Sequence, residues 1–347
     1  MTPRERFLAA LASKDVHPPP VICPGGMMTM ATASAMARTG RGWPQAHVDY
    51  AAMAELILAT REESGFECLA APFCMTVEAE ALGCRVDLGT PEVLPCVVTE
   101  SVAGADDIER LPEFAPESMP RVKTVLEALR RLKAASGSYP VIGALVGPVT
   151  LAATIMEAGI FFRLARREPQ TVDRLLARTE AFVLQFALAQ RAAGADAVMV
   201  AEPSATGEIL GAAHFARFAS PALTRLLRAL REGGVPNILH ICGDVRPVLD
   251  PLRELNARLG GRLALSVDAM VSGRMLREEL PGVIRVGNVD AVLLHRGPVS
   301  AIRRSARRAS SEFQIVSPAC GLAPITPPEH LRAMTEAVRG EDEPIQK

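Results

Sequence analysis

The stretch "LHICGD" at residues 239–244 sets His240 and Cys242 two positions apart behind an apolar run. Alternate residues of an extended chain face the same side, so the imidazole and the thiol share one face. A third candidate, Cys320, lies far downstream in "SPACGLAP". Two thiolates and an imidazole form a donor set suited to Zn²⁺, and a catalytic zinc keeps one position open for water or substrate. The structural alternative has weight. Cysteine is among the most buried residue types, and a strand-end histidine is often a hydrogen-bonded core residue. The pair alone is modest evidence. It gains from the polar residues that end other apolar runs: Glu202 after "DAVMVA", Asp268 after "LALSV", and Asn288 and Asp290 after "VIRVG". Asp268 is a candidate weak fourth ligand that a substrate thiol displaces, and Glu202 could do the same or hold a substrate group.

Those residues need elements to position them. Strand character recurs at 19–25, 66–72, 139–147, 196–203, 237–243, 263–269, 283–290 and 312–321. Several of these runs are apolar throughout, as parallel strands buried on both faces are. Between them, 168–193, 213–232, 245–259 and 326–340 carry apolar residues at helical spacing, with Thr326 a candidate cap. Strand–helix alternation repeated eight times predicts an α/β fold, a (β/α)₈ TIM barrel, whose site lies at the C-terminal strand ends. An amphipathic helix precedes the first strand. Residues 84–103 have strand character broken by Gly and Pro, which predicts a β-hairpin inserted after the second strand. A single domain over 1–340 and a frayed polar tail over 341–347 complete the expectation. Gly25 and Gly26 are expected to open the pocket beside the first strand, since glycine lets backbone approach a ligand. Glu80 is expected to reach toward that pocket and Glu78 to lie at the surface. His47 is expected to be a structural residue at a helix start.

Composition excludes several classes. The 347 residues carry a net charge of −1 and only 4% aromatic residues. Neither a basic footprint nor base-stacking platforms are present, which argues against nucleic acid. No apolar run reaches the length of a membrane span, and the charged N-terminus is unlike a secretory signal. Seven cysteines, an odd number in a long chain, predict thiols or metal ligands and a cytoplasmic location.

From about residue 4 to 340 the chain resembles the uroporphyrinogen decarboxylase-like superfamily, and within it the zinc-dependent methylcobamide:coenzyme M methyltransferase branch. The likeness rests on His240, Cys242 and Cys320 and on "WPQAH" (43–47), "PFCMTVEAEALGC" (72–84), "GPVT" (147–150), "AGADAVMVAEP" (193–203), "RVGNV" (285–289) and "PACGLAPITP" (318–327). It implies Zn²⁺ held by His240, Cys242 and Cys320. It also implies a methylcobalamin-type corrinoid as methyl donor and a small thiol, coenzyme M, as acceptor. Similarity to the cobalamin-independent methionine synthase barrel, with a carboxylate between its H-x-C and its distant Cys, favours Asp268 over Glu202 as fourth ligand. Glu202 and Asp268 are then the candidate catalytic carboxylates, with Gly25, Gly26 and Asn288 lining the cofactor pocket. The chain lacks a D-x-H-x-x-G corrinoid motif, so a separate corrinoid protein is the implied partner. The arginine cluster "RRSARR" (303–308) is first a solvated helix face and second an aid to docking. Two alternatives stay open: a decarboxylase-type lyase, and corrinoid-dependent methyl transfer to another acceptor such as tetrahydrofolate. The decarboxylases carry an arginine-rich motif after the first strand, where this chain has "CPGGMMTM" (23–30).

Overall fold

The computed structural model describes residues 1–341; the rest of the expected tail, 342–347, lies outside the described residues. Helix Pro3–Leu11 opens the chain behind a capping box in which Thr2 and Glu5 satisfy each other's backbone N–H groups. The strands are β1 (Leu69–Ala71), β2 (Arg85–Asp87), β3 (Cys96–Thr99), β4 (Val141–Val146), β5 (Ala197–Ala201), β6 (Asn237–Ile241), β7 (Ala264–Val267) and β8 (Ile284–Val286). Among the described residues, β1, β4, β5, β6, β7 and β8 make one parallel sheet in that order, and β2 pairs antiparallel with β3. The latter pair is the expected hairpin insertion. Helices such as Pro120–Ala135, Pro169–Ala192 and Ser220–Glu232 separate successive sheet strands, as right-handed crossovers require.

The expected first and eighth strands are reduced to bridges. Val21 pairs with Val316, Ile315 with Val286, and Val289 with Pro318, all parallel. Glu67 N–H donates to the Val21 carbonyl at 2.8 Å, which joins the first segment to the β1 side and completes the TIM barrel. Proline explains the shortening. Pro18, Pro19, Pro20 and Pro318 have no N–H to give a ladder, so regular pairing stops at them. The expected Thr326 cap is also displaced: Pro327 occupies the cap of helix Pro328–Arg339, and the buried Thr326 hydroxyl has no partner.

Register decides which residues face inward. Val146 pairs with Ala201, Ala201 with His240, His240 with Ser266, and Ser266 with Val286. Paired residues of a parallel sheet share a face, so these five side chains line one side. It is the inner side. Gly143, of the opposite parity, lies against Gln190 on the surrounding helix, whereas Ala144 and Met199 lie against the Gly26 loop that folds into the barrel mouth. Met28 and Met30 of that loop are fully buried. Gly25 and Gly26 have φ of +77° and +57°. A side chain at Gly26 would place its Cβ 2.9 Å from the Ala144 Cβ. Rather than opening space, the two glycines let the loop fill it. Gly26→Ala should therefore destabilise the barrel by about 2 kcal/mol or more, from left-handed strain plus overpacking. Urea unfolding of the variant beside the wild type measures it, and equal midpoints would remove the loop from the packed mouth.

Candidate metal centre

The inward parity of β6 delivers His240 and, one step beyond the strand, Cys242 to the mouth of the barrel. Cys320 arrives from the closing segment, where Ala319 N–H bonds to the Val289 carbonyl at 2.8 Å. The imidazole nitrogen and the two sulfurs all lie within 4.8 Å of one another. The Cys242 and Cys320 sulfurs are 2.8 Å apart as free thiols. His240 is fully buried, and its Nδ1 meets the Ser266 hydroxyl at 3.0 Å. Its Nε2 is buried and makes no well-aligned hydrogen bond among the described residues. With Nδ1–H donating to Ser266, the tautomer leaves an acceptor lone pair on Nε2.

An orphaned buried nitrogen is costly unless something fills its lone pair. The sulfurs have a complementary problem. The hydrogen bond between the two sulfurs pulls the Cys320 thiol below the ordinary thiol range against the effect of burial, with His240 assisting. The same hydrogen bond, burial and the Asp268 carboxylate push Cys242 up. The two sulfurs thus lie in contact beside the buried imidazole. Zinc bond lengths of about 2.0–2.3 Å bring such ligand atoms within about 4 Å of one another, so this donor set fits a Zn²⁺ ion.

The other expected site residues divide. Asp268 is fixed beside Cys242: Oδ2 accepts from Gly243 N–H at 3.1 Å and Oδ1 from Ala269 N–H at 2.6 Å. Its carboxylate is not part of the three-donor cluster. Asn288 is buried, and its amide donates to the Asp268 carbonyl at 2.9 Å, bracing the turn that carries Asp268. Glu202 is not brought to the cluster. Ala201, not Glu202, shares the face of His240. Fully buried, Glu202 accepts from Val149 N–H, Thr150 N–H and the Thr150 hydroxyl at 2.7–3.0 Å, capping helix Pro148–Ile155. Gly147 has no room for a Cβ because this carboxylate fills it.

Glu78 and Glu80 exchange their expected places. Glu78 is buried and accepts from Val146 N–H at 2.8 Å, beyond the end of β1, while its second oxygen has no partner. The half-exposed Glu80 pairs with the buried Arg121 at 3.1 Å. Arg121 also donates to Cys74 at 3.0 Å and Thr76 at 3.1 Å. His47 is fully buried among Trp43 and Phe73. Burial and the nearby Arg121 lower it to about 3, so it stays neutral. Sequence inspection missed Ser266 and Arg121. Ser266 had a usable signal, lying two residues before Asp268 on the same face.

Fold and site together define an α/β-barrel protein with a candidate metal centre at its C-terminal strand ends. The chain belongs to the uroporphyrinogen decarboxylase (URO-D) family, whose model matches residues 2–341. It is 30% identical to "Methylcobamide:CoM methyltransferase MtbA" of Methanosarcina acetivorans over 97% of this chain and 98% of the relative. It is also 30% identical to "Uroporphyrinogen decarboxylase" of Anaeromyxobacter sp., over 82% of this chain and 84% of that one. A solved "methyltransferase from Methanosarcina mazei" superposes with a TM-score of 0.90 at 29% identity, covering 98% of this chain and 99% of the other.

Burial raises both Glu78 and Glu202 to about 7. Their folded values lie above the unfolded ones, so their stabilising contribution is full below about 4.5 and is lost as pH rises through about 7. Glu78→Gln should flatten part of this dependence, by about 1–3 kcal/mol between pH 5 and 8. Urea unfolding at the two pH values tests it; a slope equal to the wild type's would show that Glu78 does not titrate in that window.

Proposed function

We propose that the protein is a zinc-dependent methyltransferase that moves a methyl group from a methyl-Co(III) corrinoid, carried by a separate protein, to a small thiol, coenzyme M being the acceptor its relatives favour. The observation that carries this reading is the cluster of His240, Cys242 and Cys320, with the His240 Nε2 left bare at the inner mouth. The two classes of relative match at the same identity. Chemistry has to separate them, and a thiolate–imidazole donor set suits thiol activation. The loop where a decarboxylase would present arginines is instead filled with buried methionine.

A free thiol near pKa 8.5 is mostly protonated at neutral pH, and only the thiolate is a strong nucleophile. Bound zinc would supply the Lewis acidity that keeps the acceptor sulfur ionised. Cys242 and Cys320 as thiolates, with His240 through Nε2, would hold the ion. Ser266 fixes the imidazole tautomer from behind. Asp268, held by Gly243 and Ala269 N–H groups and braced by Asn288, adds negative charge beside Cys242 and would be the fourth donor to a bound ion. Glu202 acts as a positioning residue that anchors helix Pro148–Ile155 to the β4–β5 strand ends. The Gly25–Gly26 loop walls the pocket. The acceptor sulfur then forms its bond to the methyl carbon, and the carbon–cobalt electron pair stays on the corrinoid as Co(I).

Metal analysis with zinc-edge X-ray absorption, with and without coenzyme M, tests the reading. One zinc with two sulfur neighbours, rising to three when the thiol is added, is expected, and Cys320→Ser should abolish methylcobalamin demethylation. Zinc that never gains a third sulfur would overturn thiol activation. Ser266→Ala should weaken zinc affinity about 10–100-fold, because the imidazole loses the group that orients it. Competition against a chelator measures this, and unchanged affinity would show that Ser266 plays no part.

A further inference from the structure

Cys242 follows the C-terminal end of β6, so the opposite face of the barrel takes no part in the chemistry proposed above. That face carries a pocket of about 310 Å³, within the range of about 300–1,000 Å³ in which small-molecule sites fall. Asn237 and Ala264, the first residues of β6 and β7, mark its place, and Leu11 at the end of the first helix joins them. Two arginines share the pocket, and no acidic side chain lines it. Arg231, in the last turn of helix Ser220–Glu232, is half-buried. Its Nη1 donates to the Leu259 carbonyl and its Nη2 to the Arg262 carbonyl at 2.7 Å. These bonds hold the turn that follows helix Leu249–Arg258 and fix the guanidinium in place. A carbonyl carries only a partial charge, so the cation is left without a counter-ion. Arg262 is exposed, and its side chain makes neither a hydrogen bond nor an ion pair among the described residues. Burial, and then the neighbouring charge of Arg262, lower Arg231 from the ordinary arginine value. A capping role accounts for Arg231 alone and leaves Arg262 and the pocket unused.

We propose that this pocket is a binding site for a small organic oxyanion, a phosphate monoester with a short apolar body, held between Arg231 and Arg262. A phosphoryl group carries about two negative charges at neutral pH, which answers two guanidinium groups better than a singly charged carboxylate does. Bound between them, it replaces a repulsion with charge-assisted hydrogen bonds, and the planar N–H forks match its oxygens. The Arg231 Nε–H and the whole Arg262 fork are free to donate. Asn237 spends one amide hydrogen on the Val235 carbonyl at 3.0 Å and keeps the other for the ligand. Leu11, Val235, Pro236 and Ala264 offer apolar surface that an alkyl body covers and a bare ion does not. The site stands apart from the methyl-transfer reading. Its occupant stabilises the folded chain by mass action and does not enter the reaction.

Isothermal titration of the full chain with butyl phosphate, and separately with inorganic phosphate, tests the proposal at low ionic strength. One-to-one binding that weakens as salt is added is expected, with butyl phosphate the tighter of the two. Arg262→Gln changes an exposed side chain on which the fold makes no contact by hydrogen bond or ion pair, so the variant should fold. It should bind butyl phosphate at least about tenfold more weakly, the loss that charge-assisted hydrogen bonds predict. Arg304→Gln makes the same change of charge beside Asn288, on the metal-centre side, and should leave binding as in the wild type. Absence of heat with both probes at millimolar concentration would overturn the site. Binding that Arg262→Gln leaves unchanged, or that Arg304→Gln weakens equally, would overturn it too, since the anion would then lie elsewhere or answer only to net charge. Inorganic phosphate bound as tightly as butyl phosphate would overturn the organic ligand and make free phosphate the occupant.

Discussion

Two sulfurs 2.8 Å apart, next to a buried imidazole nitrogen with no well-aligned hydrogen bond among the described residues, are the constraint on which the rest of this structure depends. The arrangement holds two sulfurs and an imidazole nitrogen close together in a largely buried setting. Such a cluster persists only where the surrounding fold fixes its members independently. Two separate devices do so here. The register of β6 against β5 and β7 fixes the direction of His240 and Cys242, and Ser266 locks the ring. Cys320 is fixed by the closing segment, whose bridges reach both Val21 and β8.

That dependence explains a feature that otherwise resembles poor regularity. The segment carrying Cys320 is bridge-paired rather than a long strand, since proline interrupts it. Yet it is tied on both sides, and Gly321 follows the cysteine because any side chain there would meet the Met27 carbonyl at 3.0 Å. The mouth loop therefore packs directly against the residue after the ligand. Gly25, Gly26 and Gly321 share one role: they let two backbone segments meet where side chains would keep them apart.

Much of this was legible in the chain. Apolar strands alternating with helices located the six sheet strands and the insertion, and alternation alone put His240 and Cys242 on one face. The misjudged ends have a common cause. Prolines at 18–20 and 318 deny ladder hydrogen bonds, a backbone effect that hydrophobic pattern does not register. Glu78 looked superficial because acidic residues usually are. Its burial follows from a tertiary need: β4 outlasts its neighbour β1, so the Val146 N–H wants an acceptor. That kind of demand is invisible until strand lengths are known.

Glu202 and Asp268 show how parity separates two carboxylates that the chain presents alike. Both follow an apolar strand, and both are acidic. Asp268 continues the inward parity set by Ser266, so it comes to rest against Cys242. Glu202 follows the inward Ala201 by one position, so it turns toward the helices and takes up the orphan N–H groups of Pro148–Ile155. A shift of one residue sends a charge to the opposite side of a strand. In a barrel of this kind, then, an acidic residue at a strand end is evidence of chemistry only once its parity against the metal ligands is established. By that criterion Asp268 lies on the side of His240 and Cys242, and Glu202 on the side of the helix whose N–H groups it takes up.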